Sequence, residues 1–186
     1  MTYIIETDRL GLRNWKKSDL NAMSRINNDP EVMHYFPAVQ DKNTTHAFLQ
    51  RMQNQIADKG YGYFAAVLKE EQRLIGFIGI SAQNYKAPFT PCVDIGWRLD
   101  KSYWGKGLAN EGGKACLDYA FRQMEIRRLY AIVPGVNRAS LSVAKKIGLQ
   151  YHSSFNHPAI DLNSPLNPCL VYYLDRDHFL SANTSG

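Results

Sequence analysis

"YWGKGLANEGGKAC", Tyr103 to Cys116, gathers four glycines around one point of the chain. Gly105 and Gly107 flank Lys106, and Gly112 and Gly113 fall where the pattern turns helical. Glycine weakens a helix by up to about 1 kcal/mol relative to alanine, so four of them at a helix start need a reason. A loop that runs through glycines into a helix leaves successive N–H groups without intrahelical partners, and the helix dipole adds positive potential there. Such a terminus receives a phosphate or pyrophosphate if no side chain projects from the alpha carbons. A tight turn that needs glycine only for its backbone angles is the competing reading. Lys101, Lys106 and Lys114 supply positive charge nearby.

Two common phosphate motifs fail here. A Walker loop requires GxxxxGK[ST], but Lys106 is followed by Gly107. A dinucleotide fingerprint requires GxGxxG, but its last position is Asn110, and the acidic Glu125 comes after a helix and before the next strand.

The flanks show the architecture. Upstream, "CVDIGWRL" (Cys92–Leu99) alternates: Val93, Ile95, Trp97 and Leu99 share one face, and Asp94, Gly96 and Arg98 the other. Downstream, the helix carries Leu117, Phe121 and Met124 on its core face. A strand over Arg128–Val133 follows, then the helix "NRASLSVAKKIGL" with Asn137 as N-cap and Gly148 as C-cap, then the strands "LQYHSSF" and "PCLVYYL". Toward the N-terminus, "RLGLRNW" reads as a strand. A helix capped by Ser18 comes next, with a second over Thr44–Asp58 ended by Gly60. Strands over Tyr61–Leu68 and Arg73–Ser81 are joined by a "KEEQ" hairpin turn. Three successive strands predict an antiparallel meander, and the later strand–helix–strand unit requires a parallel pair. The fold class is therefore α/β (α+β): a mixed, seven-stranded sheet with helices on both faces. Residues 1–180 read as one domain and 181–186 as a frayed tail.

Composition agrees with a globular chain. Of 186 residues, 45% are hydrophobic and 21% charged. No apolar run nears the roughly 20 residues of a membrane helix, and no signal peptide opens the chain. Cys92, Cys116 and Cys169 are scattered, which argues against a disulfide framework and for a reducing cytoplasm. The five histidines show no metal-ligand spacing, so no metal is expected. A net charge of +5 suits a polyanionic ligand and equally a solvated, lysine-rich surface. No signature of nucleic-acid readout is present.

Read with its flanks, the glycine stretch resembles the GNAT superfamily of acetyl-CoA-dependent N-acetyltransferases. That family's loop runs Q/R-x-x-G-x-G/A; Gly107 and Ala109 match it, and Trp104 replaces the first polar residue. The form "YWGKGxAxE" is similar to the RimJ/RimL branch of ribosomal-protein acetyltransferases. So are "ETDRLGLRNWKKSDL", "DPEVMHYFP" and "NRASLSVAKKIGL". The resemblance implies a mostly antiparallel seven-stranded sheet whose central parallel strands, 92–99 and 128–133, splay to admit the pantetheine of acetyl-CoA. It implies that backbone groups of Trp97, Arg98 and Leu99 pair with pantetheine. Trp104, Gly105, Lys106, Gly107, Leu108, Ala109 and Asn110 would form the pyrophosphate cradle. Gly96 is either a bulge aimed at the thioester oxygen or a point of close packing.

The family's frequent tyrosine acid falls at Ala144, so Ser140 is the implied substitute beside the thiolate, or else a capping residue. Asn137 would cap its helix and bond pantetheine. Asp94 is the implied base, or else one partner of an ion pair. Glu111 belongs to the same motif or complements the helix dipole. Tyr35, Tyr172 and Tyr173 line the acceptor channel or pack the core. The implied activity is acetyl transfer to a primary amine by direct attack on the thioester, with a protein or peptide N-terminus, such as that of a ribosomal protein, as acceptor. The alternatives are a small-molecule amine (a polyamine or aminoglycoside) and a non-catalytic acyl-CoA-binding regulatory domain. A cytoplasmic monomer or homodimer without membrane or nucleic-acid partner is expected.

Overall fold

The computed structural model describes residues 2–182. Its centre is an eight-stranded sheet in the order β1-β2-β3-β4-β5-β6-β8-β7. The strands are β1 (Ile5–Glu6), β2 (Leu10–Arg13), β3 (Tyr63–Leu68), β4 (Arg73–Gln83), β5 (Cys92–Leu99), β6 (Arg128–Pro134), β7 (Gln150–Phe155) and β8 (Cys169–Asp175). The extra strand relative to expectation is β1, whose two residues are too few to show alternation in sequence. All neighbours are antiparallel except β5 and β6. β5 stays in register with β4 from Cys92 to Leu99 but meets β6 at one pair, Asp94 opposite Tyr130. Beyond Asp94 the two parallel strands part, and this gap positions the site.

Helices cover both faces. α1 (Asp19–Asn27) and α2 (Lys42–Lys59) lie on the face that carries Phe77 and Tyr63, where Phe48 of α2 meets both rings. α3 (Leu108–Asp118) lies on the other face, over Ile78 and Leu10. The chain leaves α3 through a π-helical turn, Tyr119–Gln123, that buries Phe121. α4 (Arg138–Lys146) and α5 (Arg176–Ala182) complete the order. The core is continuous from Leu10 and Leu12 through Ile75, Ile78 and Ile80 to Leu129 and Leu174. No helix among the described residues is long and apolar enough to cross a membrane.

Local chemistry explains the helix ends. Asp41 accepts the Thr44 N–H at 2.7 Å to start α2, and Gly60, in a left-handed conformation, stops it. Ser18 precedes α1 but keeps helical angles and makes no cap bond. Asp19 is instead held by a buried, two-pronged pair with Arg13, at 2.6 and 2.8 Å, that fastens α1 to β2. Gly148 stands one residue beyond its expected place: Ile147 is the C-cap of α4 and Gly148 takes the left-handed turn after it. Ser181 and Ala182, expected in the tail, extend α5; residues 183–186 lie outside the described residues.

Candidate active site

The open edge of β5 is the first wall. Asp100 donates its N–H to Ile75 O, so antiparallel alternation turns the N–H and C=O of Arg98 toward β4 and those of Trp97 and Leu99 away from it. Of the three backbone positions expected to meet pantetheine, Arg98 is thus engaged within the sheet. Leu99 O is taken by the Trp104 indole N–H at 2.9 Å. Trp97 faces the gap that β6 has left.

The glycine loop is the second wall. Gly105 (φ 73°) and Gly107 (φ 78°) are both left-handed, a conformation that L side chains resist. A Cβ at Gly105 would meet nothing, so the loop leaves open space above its backbone. Gly107 starts α3 without a side-chain cap, and the first N–H groups after it have no intrahelical acceptor. The other two glycines serve packing instead. A Cβ at Gly112 would lie 2.5 Å from Ile78 Cδ1, and one at Gly113 would lie 3.3 Å from Ile147 Cδ1. They let α3 approach the sheet and α4, and they do not border the cleft.

The third wall is the N-terminal half of α4. Asn137 Oδ1 accepts the Ser140 N–H at 3.1 Å and caps the helix. The Ser140 hydroxyl makes no hydrogen bond to a described residue, so capping falls to Asn137 alone. Ala139, Val143 and Lys146 continue one stripe toward the gap. Sequence reading missed this stripe, although its spacing of four and three residues was the signal. Ala144 is fully buried in the core.

These walls enclose a cavity of about 490 Å³. Trp97, Arg98, Leu99, Trp104, Gly105, Gly107, Leu108, Ala109, Asn110, Asn137 and Ser140 all line it. Lys106 does not: its ammonium lies 5.1 Å over the Tyr103 ring, and its carbonyl accepts from Arg9 Nη1. Lys101 is paired with Asp29 and Glu31. Asn110 Oδ1 is buried at the cleft without a partner. The open space over Gly105 and the uncapped helix start fit an elongated ligand with an anionic end, and the orphaned Asn110 oxygen calls for a donor elsewhere on that ligand.

A second cavity, about 350 Å³, adjoins it, and Tyr35, Phe36, Trp97, Arg98, Asn137 and Ser140 line both. Asp94 lies in this second cavity. It accepts the Tyr63 hydroxyl at 2.6 Å and forms no ion pair among the described residues. Burial pushes its carboxyl up to about 6, against the opposing hydrogen bonds from Tyr63, Gln83 and the Ser81 backbone. Burial and the Asp94 charge push the Tyr63 phenol well above its usual range, so it stays a neutral donor. Gly96 is no bulge against β4; its pairing there is continuous. Its missing side chain makes room for the Tyr63 ring, which a Cβ would meet at 3.1 Å. Tyr63, Gln83, Tyr85, Arg51 and His157 come from distant segments and were not read as site residues. Tyr35 lines the cavity, but Tyr172 packs against Tyr151, and Tyr173 lies under Arg128.

Glu111, in the first turn of α3, braces the loop. It accepts from Thr7 Oγ1, the Arg9 backbone N–H and the Arg9 guanidinium. Burial pushes its carboxyl up, but these bonds outweigh it and hold the group below its usual value.

The profile of the acetyltransferase (GNAT) domain matches residues 9–150. The chain belongs to the GNAT acetyltransferases. It is 32% identical over 152 residues to the uncharacterized N-acetyltransferase YnaD of Bacillus subtilis, covering 81% of this chain and 85% of that one. A GNAT-family acetyltransferase from Bacillus anthracis superposes with a TM-score of 0.77 at 27% identity, over 93% of this chain and 98% of the other. In fold alone, this GNAT chain also matches a ribosomal-protein-S5-alanine acetyltransferase from Vibrio fischeri (TM-score 0.75, 20% identity, 92% and 96% covered). It matches equally the Vibrio cholerae spermidine N-acetyltransferase solved with CoA and spermine (TM-score 0.74, 18% identity, 94% and 99% covered). GNAT acetyltransferases use acetyl-CoA, and this chain is an N-acetyltransferase.

Proposed function

We propose that this enzyme acetylates the N-terminal amine of a protein or peptide, as the RimJ/RimL branch does. The supporting observation is the charge of the second cavity: two guanidiniums, Arg51 and Arg98, and one carboxylate, Asp94, line it among the rings of Tyr35, Phe36, Phe48, Tyr63, Phe77 and Tyr85. A polyamine, with several ammonium groups, calls for a surplus of carboxylates instead.

The roles follow from placement. In the larger cavity, the start of α3 and the Gly105–Asn110 loop hold the pyrophosphate, and Trp97 pairs with pantetheine as a neighbouring strand would. Bound acetyl-CoA supplies an electrophilic thioester at the junction of the cavities. The acceptor nitrogen enters from the Asp94 side, bonds the carbonyl carbon and gives its proton to the Asp94 carboxylate, directly or through water. The C–S bond breaks, and the Ser140 hydroxyl donates a hydrogen bond to the departing sulfur. Asn137 uses its Oδ1 for the cap and turns its amide N–H groups toward the ligand. An N-terminal amine suits a weak base, because its pKa of about 8 leaves a useful neutral fraction at pH 7.5, whereas a lysine-like amine near 10.4 leaves about one molecule in a thousand.

Thiol release from acetyl-CoA, measured against peptides, spermidine and aminoglycosides, tests the proposal. Peptides with free N-termini are expected to be the best acceptors. Turnover of spermidine with none on peptides would refute it.

A further inference from the structure

We infer that the peptide acceptor carries an acidic side chain close behind its N-terminus, and that Arg98 and Arg51 receive it. The inference rests on the peptide reading above and names the sequence class of that peptide.

Arg98 is a half-buried cation that pairs with no anion among the described residues. Its Nη1 donates to Asn27 Oδ1 at 2.7 Å, and its guanidinium carbon lies 4.0 Å from the centre of the Phe36 ring and 5.3 Å from that of Phe77. Its Nε is buried with no partner. No carboxylate among the described residues pairs with Arg98 or Arg51. Asp94 is four residues back on the same strand, about 13 Å along it. Stacking on two rings offsets part of the desolvation of a guanidinium, but a half-buried charge whose buried Nε donor is unfilled remains a costly arrangement in the absence of a ligand. Burial pulls the Arg98 pKa down to about 10, so the group is still charged at neutral pH.

The pyrophosphate of acetyl-CoA is not the missing anion. Arg98 shares its face of β5 with Asp94 and Gly96 and stacks on Phe77, on the α2 side of the sheet. The glycine loop feeds α3, which packs over Ile78 on the opposite side. Arg98 also lines the acceptor cavity, and Arg51 lines it from α2, 5.6 Å over Phe48. Gln40 Oε1 and Tyr85 Oη, both of residues lining that cavity, are buried and unpaired as well. An acceptor with its amine at Asp94 and its chain directed toward Arg98 covers the 13 Å in about four extended residues, fewer if a long side chain reaches forward. The acidic residue therefore belongs at about the second to fourth position.

The test compares kcat/KM for peptides identical except at the third residue, Glu, Gln or Lys, with free glutamate and spermidine as further acceptors. The Glu peptide is expected to exceed the Gln peptide by about tenfold and the Lys peptide to fall below both, as for a charge-assisted contact. The Glu-to-Gln ratio should shrink toward one in Arg51→Gln and Arg98→Gln and recover in part in Arg98→Lys. The Kd for acetyl-CoA should hold in Arg51→Gln, which lies outside the larger cavity. Equal acetylation of the Glu and Gln peptides by wild type would overturn the inference and leave the peptide reading intact. Preference for free glutamate over every peptide would assign the anion to a small molecule and overturn the peptide source. Turnover of spermidine alone would remove both readings.

Discussion

In the proposed mechanism, Asp94 and Ser140 carry the chemistry at the scale of single residues. The folded value of Asp94, about 6, lies above its unfolded value near 3.9. The folded state therefore binds more protons between these values, and the stability this gives is lost as pH rises from about 4 through 6. Above pH 6 the buried charge is a standing penalty of up to about 3 kcal/mol. Asp94→Asn should thus melt higher than wild type at pH 7.5, with the gap closing below pH 4. The same variant should lose about tenfold or more in kcat/KM, and wild-type activity should fall below pH 6 as the base is protonated. Thermal melts and pH–rate profiles of the two proteins check this. A residue serving only the fold would lower the melting temperature and spare the rate.

For Ser140, the free hydroxyl and the separate Asn137 cap give a clear expectation. Ser140→Ala should reduce kcat by about ten- to a hundredfold, the worth of one hydrogen bond to a charged group, with Tm and acetyl-CoA affinity nearly unchanged. Steady-state kinetics beside calorimetric titration reads both. A Tm drop at normal kcat would return Ser140 to a structural role.

The glycine loop is an element held from outside itself. Arg9 donates to Lys106 O and pairs with Glu111, so the N-terminal strands brace the start of α3. Glu111→Gln keeps the shape and removes the charge; we expect acetyl-CoA affinity to fall several-fold while the melting temperature changes by only a few degrees, which calorimetry and melting curves together would show. How much was legible in sequence also divides at this scale. The loop and the Asn137 helix start could be read because both are local: glycine angles and caps act over three or four residues. The parallel pair followed from one strand–helix–strand unit. Gly112 and Gly113 were misread, since a glycine that admits a ligand and one that admits a sheet look alike until Ile78 and Ile147 are placed. The second cavity, proposed above to take the acceptor, was mostly hidden. Tyr63 reaches Asp94 only because β3, β4 and β5 lie side by side in a particular register, which no local pattern encodes.

Over the whole molecule, the sheet is a frame interrupted once. Antiparallel pairing holds on both sides, and the single Asp94–Tyr130 ladder pair leaves a cleft between two antiparallel halves. A ligand that bridges the halves and binds only the folded state should stabilise all of it. Acetyl-CoA at a hundred times its Kd adds about 2.7 kcal/mol, a Tm rise of roughly 5–10 °C for a chain of this size. The most direct measurement of the central claim follows the acetyl group itself. The enzyme is incubated with isotopically labelled acetyl-CoA and a peptide that has both a free N-terminus and an internal lysine, and the label is located by fragment mass spectrometry. Label on the N-terminal nitrogen, lost in Asp94→Asn at pH 6.5 and largely recovered at pH 8.5, is the expected result. Label confined to the lysine side chain, or the same labelling rate in Asp94→Asn at both pH values, would contradict it.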